Sequence, residues 1–400
     1  MNKTPSPARL AAFWLGTQAL WGALLGVSLQ ARSIELAPAT AIVSYSYLAA
    51  IGAVVAAIVQ IAVGPLSDWR RRHGSKRIEF YVVGTAGGAI ALIAFYDATN
   101  FAALTTALIA LQATLNIAAG PYQAIIPDII PREKLGIASS WMSGLQSLGN
   151  AVGAVCASVI TNGRALGATL AAFLVACASV TIAHVRGLSL QTPPPHERFR
   201  VTRAFVDLFI SRALVYVGFY TLVGYLLFYV TGVLGVPAGA AAQRQTGIFI
   251  LAFTVLAAIG AGVAAKPTDR MDKRLVATLG CAGTIAALVL FVASQNMVLS
   301  AVATAIAGLG WGIFLVADWA IACRILPPGA LASTMGIWNV AVAGPQIVAP
   351  LLTAAVLQRL GLAASAAGSL GPRVAFGLAL GETLLGIAWL WRLSRCAIGE

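Results

Sequence analysis

The feature that most constrains this chain is its series of apolar runs, each about twenty residues long, separated by short polar stretches. "AIVSYSYLAAIGAVVAAIVQIAV" and "FYVVGTAGGAIALIAFY" flank a knot of charge, "GPLSDWRRRHGSKR", Gly64 to Arg77. A helical run of roughly 18 to 25 apolar residues matches the hydrocarbon thickness of a bilayer. Lipid offers the backbone no hydrogen-bond partner, so such a run must bond to itself as a helix. Composition agrees: the chain is 10% charged and 59% hydrophobic, where a soluble domain is about one quarter charged. No strand alternation of the kind a lipid-facing barrel needs is visible. The sequence therefore reads as an all-α polytopic membrane protein.

Twelve transmembrane helices are expected, at 11–31, 40–66, 78–97, 101–127, 137–160, 166–186, 204–233, 242–265, 276–294, 298–325, 332–358 and 373–392. Lys3 and Arg9 precede an apolar run too long for a signal h-region, which reads as a retained first span. The longest polar interruption, "RGLSLQTPPPHERFRVTR", is basic and proline-rich, the composition of a linker. It divides the chain into a six-helix bundle at 1–186, a linker at 187–203 and a second six-helix bundle at 204–400.

With an even number of spans both termini share a side. On that side fall 21 of the 26 lysines and arginines, counting Arg212 just inside its span; the other side has Arg32, Arg164, Arg244, Arg359 and Arg373. The positive-inside rule places the termini and the linker in the cytoplasm of a cell (inner) membrane. Topology accounts for the net charge of +13 without a nucleic-acid partner, and the basic loops should touch anionic lipid. The five cysteines, Cys156, Cys177, Cys281, Cys323 and Cys396, have no metal-ligand spacing and read as packing residues. No cofactor is implied.

The stretch from Gly64 to Arg77 lies between the second and third spans. It resembles the signature loop of the major facilitator superfamily: a glycine, an aspartate four residues on, then a basic cluster, here Gly64, Asp68 and Arg70 to Arg77. The style of "GPLSD" with a later "GSKR" is similar to the branch of glycoside/cation and sucrose/proton symporters. The position after the aspartate, Arg in the family, is Trp69 here, and Arg70 is read as its substitute. The resemblance implies a latch that holds one of two states, with Gly64 allowing close helix approach and Asp68, Arg70 and Arg72 carrying charge. A degenerate copy, "AGVAAKPTDRMDKR", offers Gly262, Asp269, Arg270, Lys273 and Arg274. Asp128 with Pro131 is matched by Asp318 with Pro327, each followed by "ASS" or "AST". This weak repeat across two six-span halves suits a parallel-repeat transporter, with substrate near the midplane between the halves.

Polar residues at membrane depth are costly and should face that cavity. The candidates are Gln18, Trp21, Asn116, Gln146 and Asn150 in the first half. In the second they are Tyr216, Tyr220, Trp311, Trp338, Asn339 and Gln346. Amides bond hydroxyl groups and aromatic rings stack on a sugar's apolar face. Asp128 and Asp318 read as an inner gate paired with Arg132, Arg212 or Arg324, with proton carriage as the alternative. Glu382, an acid within the last span, reads as a coupling residue, a partner for a cation, or a neutral packing residue. No phosphate loop, metal motif or nucleophile elbow points to an enzyme. The reading is a monomeric secondary active transporter of a small solute, a sugar or glycoside, coupled to a proton or cation. The alternative is a proton-coupled exporter of amphipathic drugs or metabolites. For the topology, a cysteine introduced within 190–196 should react with an impermeant thiol reagent only from the cytoplasmic side; labelling from outside intact cells would reverse the orientation.

Overall fold

The structure, a computed structural model, describes residues 4–130, 135–189, 201–325, 331–362 and 368–393. Helix is the only regular secondary structure among these residues, as the apolar runs require. Helix α1 (Pro7–Ala23) runs through a π-helical turn, Leu24–Ser28, into α2 (Leu29–Leu36), so the first span is one rod longer than expected. Then come α3 (Ala41–Arg72), α4 (Ile78–Asp97), α5 (Phe101–Gln123), the short α6 (Ile125–Ile129), α7 (Leu135–Val159) and α8 (Gly163–Arg186). The second half supplies α9 (Arg203–Gly232), α10 (Ala240–Arg270), α11 (Lys273–Ala293), α12 (Met297–Ile325), α13 (Leu331–Arg359) and α14 (Leu370–Leu390).

Eleven segments among the described residues are long and apolar enough to cross a membrane. The remaining expected span, 137–160, is α7, whose apolar run is diluted by Gln146, Ser147 and Asn150. Local signals set several helix starts. Asn100, Asn162 and Thr202 accept a hydrogen bond from the backbone N–H three residues on, at α5, α8 and α9. Ser6 N–H, at the head of α1, instead donates to His184 Nε2 at 2.9 Å.

The chain forms two compact units, Met1–Leu36 with Ile51–Pro194, and Ala37–Ala50 with Pro195–Glu400. Their internal pairings repeat. In the first unit α1 packs on α7 and α8, and α4 on α5 and α8; in the second α9 packs on α13 and α14, and α11 on α12 and α14. Each of these four pairings has its counterpart six spans later, whereas α10 on α12 has none of similar extent among the described residues; the weak sequence repeat is in large part a repeat of packing. Cys156, Cys177 and Cys281 are free thiols. Cys396 lies outside the described residues, as does the side chain of Cys323.

Without a hydrophobic drive between helices in lipid, small residues set how closely they meet. Gly149 and Gly153, four apart, seat α7 on α1. A Cβ on Gly149 would lie 2.6 Å from Leu15 O, and one on Gly153 would strike the Ala19 carbonyl. In the second unit a Cβ on Gly280 would lie 2.7 Å from Gly310 O, across α11 and α12. At Gly64, by contrast, a Cβ would meet nothing within 4 Å among the described residues, and the stretch of α3 around it exposes Ile61, Leu66 and Trp69. Gly153→Leu should therefore cost about 1–3 kcal/mol or more through overpacking. Gly64→Ala, at an open helical site, should gain up to about 1 kcal/mol. Thermal denaturation in detergent measures both, and similar losses at the two sites would refute the seam.

Candidate functional site

Charge gathers at the basic end of the first unit, where α3 ends, α4 begins and α6 sits. Arg77 is at its centre. Its Nε donates to Asp128 at 2.8 Å, its Nη2 to Asp68 at 2.9 Å and its Nη1 to Ser67. Arg71 Nε adds a 3.4 Å ion pair to Asp128. The Arg77 side chain is 6% exposed, that of Asp128 18% and that of Asp68 66%, so Asp128 is the more sheltered acid and Asp68 the solvated one. Burial works against the Arg77 charge, but Asp128 and Asp68 outweigh it and raise its pKa above the ordinary value. Arg77 is also the one non-glycine residue with positive φ among those described, at 62°. A left-handed conformation of this kind costs roughly 1–2 kcal/mol, offset here by three side-chain hydrogen bonds.

Arg77 holds Asp68, while Arg70 makes an exposed pair with Glu79 at 3.1 Å. Asp128 pairs with Arg77 and Arg71; Arg132, among its expected partners, and the side chain of Arg72 lie outside the described residues. Sequence reading passed over Arg77 because five basic residues crowd that stretch, and only the backbone turn decides which one points inward.

In the second unit the corresponding loop is tied differently. Asp269 and Arg270 are exposed, whereas Arg274 is buried, donating to Asp272 at 2.6 Å and to Leu393 O at 2.5 Å. Its guanidinium also lies 4.9 Å from the Trp391 ring. Asp207, a buried acid near the start of α9, accepts from Trp389 Nε1 at 3.1 Å.

Deeper in the second unit, polar and aromatic groups converge. Arg212 and Asp318, both buried, form an ion pair between α9 and α12. Arg212 was among the expected partners of Asp318. Its Nη2 donates to Tyr216 Oη at 3.3 Å, and its guanidinium lies 4.8 Å from that ring. Tyr216 and Tyr220, one turn apart, share a face with centroids 6.1 Å apart. Tyr216 meets Trp311 edge-on at 5.1 Å, and Trp311 stacks on Phe219 at 4.1 Å and 8°. From α13, Gln346 Nε2 donates to Tyr220 Oη at 2.7 Å. Four sequence candidates, Tyr216, Tyr220, Trp311 and Gln346, thus meet in one cluster. Phe219 joins them unforeseen, since nothing in an apolar run marks which phenylalanine faces inward. Trp338 and Asn339 lie on α13, and their side chains are outside the described residues.

The first unit holds two smaller polar groups. Asn116 donates to Gln112 O at 2.8 Å and Oε1 at 3.1 Å and accepts from Gln60 at 2.6 Å. Gln146 accepts from Trp14 Nε1 at 3.0 Å, and Trp14 stacks on Tyr122 at 5.4 Å. Gln60, Gln112 and Trp14 were not anticipated, although the four-residue spacing of Gln112 and Asn116 was a legible sign of one face. Gln18 lies against Gly149, and Asn150 against Gly22. Trp21 is half-buried on α1.

Comparison with solved structures supports the architecture. A bacterial homologue of the human lysosomal transporter Spinster, inward-facing and unoccupied, matches with a TM-score of 0.72 at 14% identity, over 98% of this chain and 97% of that one. The nucleoside transporter NupG matches with a TM-score of 0.70 at 13% identity, over 97% and 99%. At such identities the likeness speaks for the fold. A search of curated proteins finds no match. The family profile of the Major Facilitator Superfamily matches residues 11–350, and with its apolar helices and repeated six-helix packing the chain belongs to that superfamily as a multi-pass membrane protein.

Proposed function

We propose that this protein is a secondary active transporter of a small, neutral, hydroxyl-rich ring compound, a sugar or glycoside, moved by alternating access and coupled to a proton or cation. The observation that carries this reading is the cluster of Tyr216, Tyr220, Trp311 and Gln346 inside the second unit. Hydroxyl and amide groups at membrane depth are worth keeping where a polar solute needs them. Here they lie beside flat rings that suit the apolar face of a sugar. Tyr220 Oη and Gln346 can exchange their mutual hydrogen bond for bonds to a ligand's hydroxyls. The motif style of the Gly64–Arg77 loop supports the glycoside and sucrose symporter branch. The basic asymmetry supports cytoplasmic termini in the inner membrane.

In this reading the ion pairs Arg77–Asp128 and Arg212–Asp318 are the two-state elements, made in one conformation and broken in another. Asp318 lies one Arg212 side chain away from Tyr216. A change in this pair therefore reaches the proposed binding cluster through a single residue.

Uptake into right-side-out vesicles across a panel of sugars and amphipathic dyes, with and without a proton gradient, tests the class. Gradient-dependent sugar uptake is expected; movement of dyes alone would favour the exporter. For the sugar found, Tyr220→Phe and Gln346→Leu should each raise KM by about tenfold, as expected for one hydrogen bond of about 1–1.5 kcal/mol. Unchanged KM in both would remove the cluster from the binding site. At the basic end, Asp128→Asn should destabilise by about 3 kcal/mol, because it leaves Arg77 buried without its main partner. Asp68→Asn, at the exposed pair, should cost under about 1 kcal/mol. Thermal denaturation and transport rate measured together check this, and equal effects would reduce the cluster to a topogenic signal.

A further inference from the structure

Glu382 is not used by the polar cluster, yet it is buried, 7% exposed, near the middle of α14. Its Oε2 accepts from Thr221 Oγ1 of α9 at 3.2 Å, and its Oε1 has no hydrogen-bond partner. Thr221 Oγ1 lies 3.5 Å from Thr353 Oγ1 of α13. A carboxyl therefore sits where three helices meet, with one neutral donor and one bare oxygen.

Among the described residues nothing charged is placed to balance it. On α9 the nearest cation is Arg212, nine residues before Thr221 and engaged by Asp318. The titratable α9 residue on the next turn is Tyr225. It bonds to Ser46 at 2.9 Å, and Tyr45 packs edge-on against it. On α14 itself Arg373 is nine residues away and points to Ser294 O at 3.5 Å. On α11 the titratable groups are Lys273 and Arg274 in the first turn, the latter held by Asp272, and Cys281. The described side chains of α13 carry no charge before Arg359.

An ionised carboxylate in such a place is expensive, while its neutral acid is an ordinary hydrogen-bonding group. We propose that Glu382 is a proton-binding site within the second unit. It takes a proton from water as –COO⁻ + H⁺ → –COOH and returns it in another state of the cycle. A metal cation fits poorly. The oxygens at hand are the two of Glu382 and the hydroxyls of Thr221 and Thr353, fewer than the six or so a hard cation gathers. A proton needs one lone pair, and Oε1 offers it. The inference deepens the coupled-transport reading and rests on it only for the proton's role in transport.

The test needs no substrate. Purified full-length protein in detergent is titrated with acid and base while infrared difference spectroscopy follows the carbonyl stretch of protonated carboxyls. The wild type should show a titrating band that is lost in Glu382→Gln and returns, displaced, in Glu382→Asp. Thr221→Val removes the donor to Oε2 and should keep the band but displace its midpoint, so the assignment stays testable if Glu382→Gln does not fold. A wild-type spectrum that neither Glu382→Gln nor Thr221→Val alters overturns the proposal, as does a Glu382 band that never titrates. Either failure leaves the sugar reading standing, since that rests on Tyr220, Trp311 and Gln346.

Discussion

The structure depends on one constraint: hydrocarbon supplies no hydrogen-bond partner. Each long apolar run must close its own backbone bonds, which is why every element here is a helix. The same rule governs side chains. Serine and threonine hydroxyls along the helices turn back to the carbonyl four residues earlier, as Thr17 does to Phe13 and Ser46 to Ile42. Amides, with both donors and an acceptor to satisfy, are drawn together as well: Asn116 turns back to Gln112 O and also meets the side chains of Gln112 and Gln60.

Because lipid is as apolar as leucine, helices are held by fit and not by escape from water. Glycine seams such as Gly149 and Gly153 on α1, or Gly280 against Gly310, bring backbones into contact. Polar ties then fix register: Tyr122 Oη to Leu10 O, Ser211 to the Gly386 carbonyl, Thr181 to Phe13 N–H. The two units repeat the helix pairings but not these ties. Asp128 finds Arg77 at the head of α4, while Asp318 finds Arg212 in the body of α9. Divergence of that kind suits a device in which the halves share architecture and differ in chemistry.

The second unit concentrates that chemistry. Its ion pair, its tyrosine–tryptophan cluster and its lone carboxyl are strung along α9 at Arg212, Tyr216, Tyr220 and Thr221. One helix therefore touches the charged pair, the aromatic cluster and the buried acid. A shift of α9 would act on all three at once, so any effect on one would reach the others by a short physical route.

By itself the sequence determined the class, the helical spans, the six-and-six repeat and the candidate residues Tyr216, Tyr220, Trp311 and Gln346. Hydrophobic length and the cost of polar groups in lipid are local properties, readable along the chain. It also singled out Asp128, Asp318 and Glu382, because a charge inside an apolar run is conspicuous. Only the tertiary structure decided the partners. Arg77 was one of five basic residues in a loop until a left-handed backbone turned it toward Asp128. Trp14, Gln60 and Phe219 had no distinguishing mark in their runs. Which side chains meet depends on helix rotation and on contacts between residues 51 to 132 positions apart in these cases, and no local pattern carries that information.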